Sequence, residues 1–437
     1  MQRAPLLLVL PVLVAACESP HAVVEVPPVR FEAHAWSGGA LLLTSDGFRG
    51  SATVRVLLAD QSITAQRLDD SSLTVALPET TGTVALSVEL DGVHGPTAQV
   101  TLHGLEHAHA IDAVDGFPLA WPYGRGTFVG SMGATGWERG RLYRIDPATG
   151  AATLFLRDSL FTVWCGSPSS GAGQVLIVGQ VFDDRGNLAC RVRALAMAAP
   201  WTVVDSMPGD LYTYSWYASY TRLAGGHWLW PVEHYVQLLR RDGASFTYAQ
   251  DPYWGTARLV VSPDGEFAVP LGGFAFPPDV VPLFRADSLF SPLDLPNMSR
   301  SRSAAFTESG DTLFIQRGAV GDRRADSLFV VETHTGAILR SVPAVLAYDA
   351  LAADIGRPWL YALTADTLAG GATLTIYDRR TMAVVAVQHA RGHAVVGSLA
   401  WLPAFLAVDV YGRRLGAVLT YDWNPSAAYT LSFSLMP

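Results

Sequence analysis

Residues 142–156, LYRIDPATGAATLFL, read as strand, turn, strand, and the same outline returns along the chain at near-constant intervals. Similar pieces begin near 189 (ACRVRALAMAAPWTVV), 236 (VQLLRRDGASFTYA), 282 (PLFRADSLFSPLDL), 328 (LFVVETHTGAILRSV), 374 (LTIYDRRTMAVVAV) and about 420 (TYDWNPSAAYTLSFS). The steps are 47, 47, 46, 46, 46 and 46 residues. Between these hairpins lies a second unit, clear in ARLVVSPDGEFAVPLGG (257–273) and SAAFTESGDTLFIQRG (303–318), looser in LAADIGRPWLYALTAD (351–366). One period therefore holds four short strands. A lone four-stranded sheet leaves its apolar faces open; radial stacking covers each face with the next repeat and keeps every edge short. No segment supplies the alternating helices that a doubly wound fold of this size requires. The pattern predicts an all-β chain with a seven-bladed β-propeller from about 105 to 437. The strand EHAHAIDAV (106–114) falls one period before Thr153–Arg157, in the phase of an outermost strand. It either closes the ring or links two domains.

The hairpins LYRIDPATGA and LFVVETHTGA resemble those of the YVTN/quinoprotein-like propellers, in which an x-x-Asp-x-x-Thr-Gly turn joins the two outer strands. Thr149-Gly150 and Thr335-Gly336 match that turn, and Arg380-Thr381-Met382 departs from it. The resemblance implies architecture and no activity, because one fold hosts many functions.

From 30 to 103 the chain alternates short strands and turns: ALLLTSDGF (40–48), ATVRVLL (52–58), SLTVALP (72–78) and GTVALSVELDG (82–92). Turns at that spacing predict a small β-sandwich. The order Gly38-Gly39, Gly47-Phe48, SLTVALP, Thr81-Gly82 resembles the immunoglobulin-like TIG (IPT) domains of secreted bacterial proteins, which implies a spacer or interaction module.

The chain starts MQRAPLLLVLPVLVAACESP. Its apolar run of 13 residues, Ala4 to Ala16, is interrupted by two prolines. It falls short of the about 20 residues a spanning helix needs, so it reads as a secretion signal over 1–16. Val14-Ala15-Ala16-Cys17 resembles the lipobox of bacterial lipoproteins, which implies cleavage before Cys17 and acylation of its thiol, an anchor in the membrane. Glu18, where an Asp favours inner-membrane retention, points to the outer membrane of a two-membrane envelope. Residues 17–29 form a Pro-containing tether.

The formal net charge is −9 with signs interspersed, which excludes the basic face that nucleic acid requires. Every basic residue is Arg, and the absence of Lys removes Schiff-base, lysine-nucleophile and P-loop chemistry. Gly-x-Ser-x-Gly, His-Glu-x-x-His and Cys-x-x-Cys are absent, and no cofactor is predicted.

Several groups remain as candidate sites. His103, His107 and His109, beside Glu106, form the best metal-like group, since residues two apart on a strand share a face; the alternative is a polar domain junction. His389 and His393 are a weaker pair. The stretch 211–254 is dense in aromatic residues, and Tyr214, Trp216, Tyr217, Trp228 and Trp230 would form a sugar-stacking platform if displayed, or packing between blades if buried. Cys165 and Cys190 are the candidate disulfide of an exported protein. A meander, however, places them two strands apart, roughly 9–10 Å against a limit of about 7 Å. Asp-Ser-Leu-Phe occurs three times out of phase with the repeat and reads as a polar turn, as does DDRGN (183–187). The expected function is an anchored, non-enzymatic scaffold that binds an envelope protein or glycan. The alternatives are an envelope lyase or hydrolase at the channel mouth, and a structural component.

Overall fold

The computed structural model describes residues 26–110, 117–123, 127–133, 141–146, 149–157, 162–167, 174–182, 188–196, 203–208, 221–232, 235–239, 245–249, 256–272, 281–288, 293–295, 301–318, 324, 326–366, 371–390, 405–409, 414–420 and 428–437. The signal peptide, Cys17 and the start of the tether lie outside them. The described chain is all-β and divides into two compact units.

The first unit comprises the residues up to Glu106 together with Val384–His389 and Ser434–Pro437. One of its sheets runs His34–Trp36, Ala98–His103, Gly82–Leu90, Val54–Leu58, Gln61–Ile63, with Val93–His94 paired to Gly82–Leu90. The other runs Ala40–Thr44, Ser72–Ala76, Ala65–Arg67. Alternation does the folding here: Leu41 and Leu43 from one sheet meet Val56, Leu58, Leu86, Val88, Val100 and Leu102 from the other in a shared core, so the segment is a two-sheet sandwich. Phe48, on the turn that follows Ala40–Thr44, closes the core with no solvent contact. Asp91 (φ 50°) and Gly92 (φ 86°) make the tight left-handed turn that the Asp-Gly pair predicts. The Asp91 carboxylate also accepts from the Thr53 N–H at 2.8 Å and is held below its ordinary pKa by that bond.

The tether is shorter than its composition predicts. Val26 and Val29 pack against the sandwich core, and Arg30 exchanges backbone hydrogen bonds of 2.8 and 2.9 Å with Thr44. The folded unit thus starts before residue 30, because those valines have apolar surface to bury.

In the second unit, antiparallel four-stranded meanders follow one another: Phe117–Tyr123 to Ala152–Arg157, Thr162–Ser167 to Val203–Pro208, and Thr221–Arg222 to Ser245–Ala249. Next come the meanders Thr256–Val261 to Leu293–Leu295 and Ser301–Phe306 to Ile338–Pro343, joined into one eight-stranded sheet by the pairing of Gly272 with Ser301, and then the strands Ala350–Ala353, Trp359–Asp366 and Gly371–Asp378. The last sheet contains Phe405–Asp409, Arg414–Thr420 and Ala428–Ser434, and its outermost strand is Leu105–Ala110 from the other end of the unit. First strands of neighbouring meanders touch, as Thr256–Val261 does Ser301–Phe306 and Ser301–Phe306 does Ala350–Ala353. Phe117–Tyr123 of the first meander also touches Phe405–Asp409 of the last. The arrangement is propeller-like.

Where the side chains are described, both faces of these sheets are covered, which explains their near-continuous apolar runs. On Thr312–Arg317, Leu313 and Ile315 enter a core shared with the preceding meander (Phe267, Val269, Leu283), while Phe314 enters one shared with the following sheet (Leu351, Leu360, Tyr377). A third such core joins Leu223 and Leu229 to Leu259, Ala268 and Phe284.

Three of the outer hairpins share one turn. The Gly150 N–H donates to the Asp146 carbonyl (2.8 Å) and the Gly336 N–H to that of Glu332 (2.9 Å), each glycine at φ 72°. The threonine hydroxyl before the glycine accepts from the N–H two residues on, at 3.2 and 3.3 Å. The segment 378–383, whose sequence departs from the pattern, adopts the same turn: the Met382 N–H donates to Asp378, Thr381 accepts from the Ala383 N–H at 3.2 Å, and Met382 takes φ 59°. Its side chain is buried in the core shared with the preceding sheet, which offsets the cost of the left-handed backbone.

At the second of these turns the Glu332 carboxylate accepts from the Thr335 hydroxyl (2.5 Å) and from the N–H groups of Thr335 (2.8 Å) and His334 (3.1 Å). The Thr335 hydroxyl foremost lowers the Glu332 pKa from 4.5 to about 2. A depressed folded-state pKa stabilises fully above the unfolded value, and that contribution is lost as pH falls toward the folded one. Glu332→Gln is therefore expected to cost stability at pH 6 and progressively less between pH 4.5 and about 2. Denaturant midpoints of both proteins across that range check it; a pH-independent difference contradicts it.

Candidate functional site

The aromatic stretch is only partly described. Tyr214, Trp216 and Tyr217 lie outside the described residues, as does the Trp230 side chain. Trp228 is 3% exposed. The Arg222 guanidinium carbon stands 5.9 Å from its ring centroid, and Arg222 Nε donates to Asp205 Oδ2 at 2.8 Å. Asp205 belongs to the outermost strand of the preceding meander, so Trp228 and Arg222 help fasten one sheet to the next. The ring presents no open face to a sugar, and for Trp228 the expectation of a displayed platform is corrected.

Cys165 and Cys190 occupy Thr162–Ser167 and Leu188–Ala196, the first and third strands of one meander. Gln174–Phe182 runs between them; Cys165 faces Val178 across one pairing and Cys190 faces Gln180 across the other. Two strand spacings, about 9–10 Å, exceed the reach of a disulfide at about 7 Å. The register does not place these cysteines as a bridged pair.

The side chains of the histidine group are described only at His103. The side chains of His107 and His109, and residue His393, lie outside the described ones. His389 meets a carboxylate instead, its Nε2 3.9 Å from Glu79 Oε1. His103 Nε2 is 3.0 Å from His34 Nδ1, on the adjoining strand of the same sheet. Its ring also stands edge-on to Trp36, with centroids 6.5 Å apart. Among the described residues no group of three or more His, Cys, Asp or Glu is placed to hold a metal.

The densest polar cluster has no sequence motif. The first strands at Thr162–Ser167, Thr256–Val261 and Ser301–Phe306 carry a β-bulge at the same phase, at Trp164, Ala257 and Arg302. A bulge re-aims the side chain it carries. Arg302 consequently leaves its own sheet: Nε donates to the Tyr348 carbonyl (2.9 Å) and Nη2 to Asp349 Oδ1 (2.6 Å), at the entry of the next. Asp349 Oδ2 accepts from the Ala365 N–H at 2.8 Å. Gln316, fully buried, clamps the same segment; its Nε2 donates to the Leu346 carbonyl and its Oε1 accepts from the Tyr348 N–H, both at 2.7 Å.

Tyr348 and Tyr377 share a hydroxyl hydrogen bond in the core, and burial pushes both phenols well above their ordinary range. Asp354, also without solvent contact, accepts from the Tyr361 hydroxyl at 2.6 Å. Burial lowers the pKa of nearby Arg379, and attraction to Asp354 opposes that shift. Arg302, Gln316, Tyr348, Asp354, Tyr361 and Tyr377 are closed to water and bonded to one another, to neighbouring side chains or to backbone. Their chemistry is to hold neighbouring sheets in register.

No family model and no curated protein matches the chain. Among solved structures it is similar to a chain described as "Crystal Structure of Mitotic Checkpoint Complex", with 13% identity, a TM-score of 0.49, and coverage of 76% of this chain and 95% of that one.

Removing one partner of a buried pair strands the other, at about 3–5 kcal/mol. Arg302→Leu is expected to destabilise the second unit by less than that, because Asp349 keeps part of its solvent contact while the Tyr348 carbonyl loses the Arg302 Nε donor. Arg302→Lys should recover only part of the loss, since an ammonium lacks the planar fork. Urea midpoints of the three proteins test the order.

Proposed function

We propose that the chain is an exported lipoprotein, held in the outer membrane through Cys17. In this reading an immunoglobulin-like, TIG/IPT-type sandwich carries a seven-bladed propeller of the YVTN-like group. The propeller acts as a non-enzymatic scaffold that binds an envelope protein or glycan. The lipobox-like Val14-Ala15-Ala16-Cys17 supports the anchor, and the 46–47-residue period supports the blade count.

The observation that carries the binding reading lies on the outermost strands. Leu154, on Ala152–Arg157, is 50% exposed, and Leu339, on Ile338–Pro343, is 61% exposed. They stand singly on the outermost strands of two different sheets, so each offers a partner an apolar contact at low desolvation cost without forming one patch.

Two measurements test the proposal. Metabolic labelling with a palmitate analogue is expected to tag the wild type and spare Cys17→Ala; equal labelling sinks the anchor. In the Cys17→Ala background, the protein is expected to co-sediment with purified envelope fragments and to lose that association on Leu154→Asp with Leu339→Asp. Undiminished sedimentation of the triple variant removes the rim from the reading.

A further inference from the structure

The first unit carries two imidazoles whose facing nitrogens are set at chelating distance. His34 lies on His34–Trp36 and His103 on Ala98–His103, parallel neighbours at the end of the larger sheet, with His34 opposite Thr101 and Trp36 opposite His103. Along Ala98–His103, Val100 and Leu102 point into the core, so Thr101 and His103 face outward by alternation. His34 Nδ1 and His103 Nε2 approach to 3.0 Å, with ring centroids 5.2 Å apart and planes inclined at 40°.

A metal bonded to two imidazole nitrogens at about 2.0–2.1 Å separates them by about 2.9 Å at a right angle and about 3.4 Å at the tetrahedral angle. The observed separation falls between those limits. The two nitrogens are already at chelating distance, and a tilt of the rings away from the direct N···N line would aim both at one ion. The backbone beneath is fixed as well: the Ser37 N–H donates to the His103 carbonyl at 2.8 Å, and the Thr101 N–H donates to the Ala33 carbonyl at 2.9 Å. Both donors belong to strands whose relative register is set by the core below them.

We propose that His34 and His103 form a two-imidazole site for a divalent transition metal of the zinc and copper class. Water completes the coordination, and the ion cross-links the two strands. Without metal, one ring donates a proton to the other across the 3.0 Å contact. On binding, the proton leaves His34 Nδ1 and is taken up from solvent at Nε2 of the same exposed ring, and two neutral lone pairs then face the ion. No bond is broken and no electron is transferred. Imidazole selects borderline ions, so magnesium, which prefers oxygen ligands, is excluded. The pair is invisible to local sequence reading, because its members are 69 residues apart.

The test uses the full-length chain and zinc itself, followed by competition with a chromophoric chelator. One zinc per chain is expected to bind most tightly, and His34→Ala and His103→Ala are each expected to weaken that site by at least about tenfold. His94→Ala, at a solvated histidine of the same unit, should leave it unchanged. Zinc should also raise the thermal midpoint of the wild type and of His94→Ala but not of His34→Ala, since an ion bridging two strands binds the folded state alone. His34 is solvent-exposed, so its replacement leaves the core intact, and that variant decides the matter if His103→Ala fails to fold. Zinc affinity and midpoint shift that survive both substitutions, or a wild type that binds magnesium as well as zinc, overturn the proposal.

Discussion

The placement of Leu105–Ala110 beside Ala428–Ser434 is the contact on which the second unit depends. The other described strands of that unit pair mainly with neighbours in sequence, and those hairpins can form locally. The last sheet cannot: its outermost strand precedes the whole repeat array. Closing a loop of that length costs little more than closing a short one, because the entropy grows only with the logarithm of chain length. The cost is set by timing, since the strand has to wait for the final repeat. Once it pairs, the first meander lies against the last and the array has no free end.

The local grammar of this architecture was readable. Turns made by Asp146 to Gly150 and by Glu332 to Gly336 announce themselves because all their hydrogen bonds fall within six residues. The turn at Asp378 shows the limit of such reading. Met382 replaces the glycine, and only the buried site waiting for its side chain explains how the same geometry persists. Strand phase was readable in part: Leu105–Ala110 takes the outermost position its phase predicts, whereas the copy expected from about 420 falls on Arg414–Thr420 and Ala428–Ser434, the second and third strands of the last sheet rather than its outer pair.

What escaped the sequence was long-range. Arg302 looks like an ordinary charged residue in SRSAAF; its role follows from a bulge, and a bulge is defined by the partner strand. Gln316 is one polar residue in an apolar run, and nothing nearby says that it serves carbonyl and amide groups some thirty residues on. The pairing of His34 with His103 was hidden for a related reason. Reading by spacing groups neighbours in sequence, whereas the fold joined His103 to His34 through a parallel pairing that leaves no trace in spacing. Trp228 failed through burial: an aromatic-rich stretch reads the same whether its rings face solvent or a neighbouring sheet.

The two-sided burial of the sheets has a bearing on how such a chain changes over time. Leu313 and Phe314 are adjacent in sequence yet answer to different neighbours, one on each side of their sheet. A substitution in any repeat is therefore judged by the repeats beside it, not by the sequence it shares with them. Under that rule copies drift apart freely in identity while the distance between them stays fixed. A period of 46 or 47 residues can thus outlast almost every residue that once marked it.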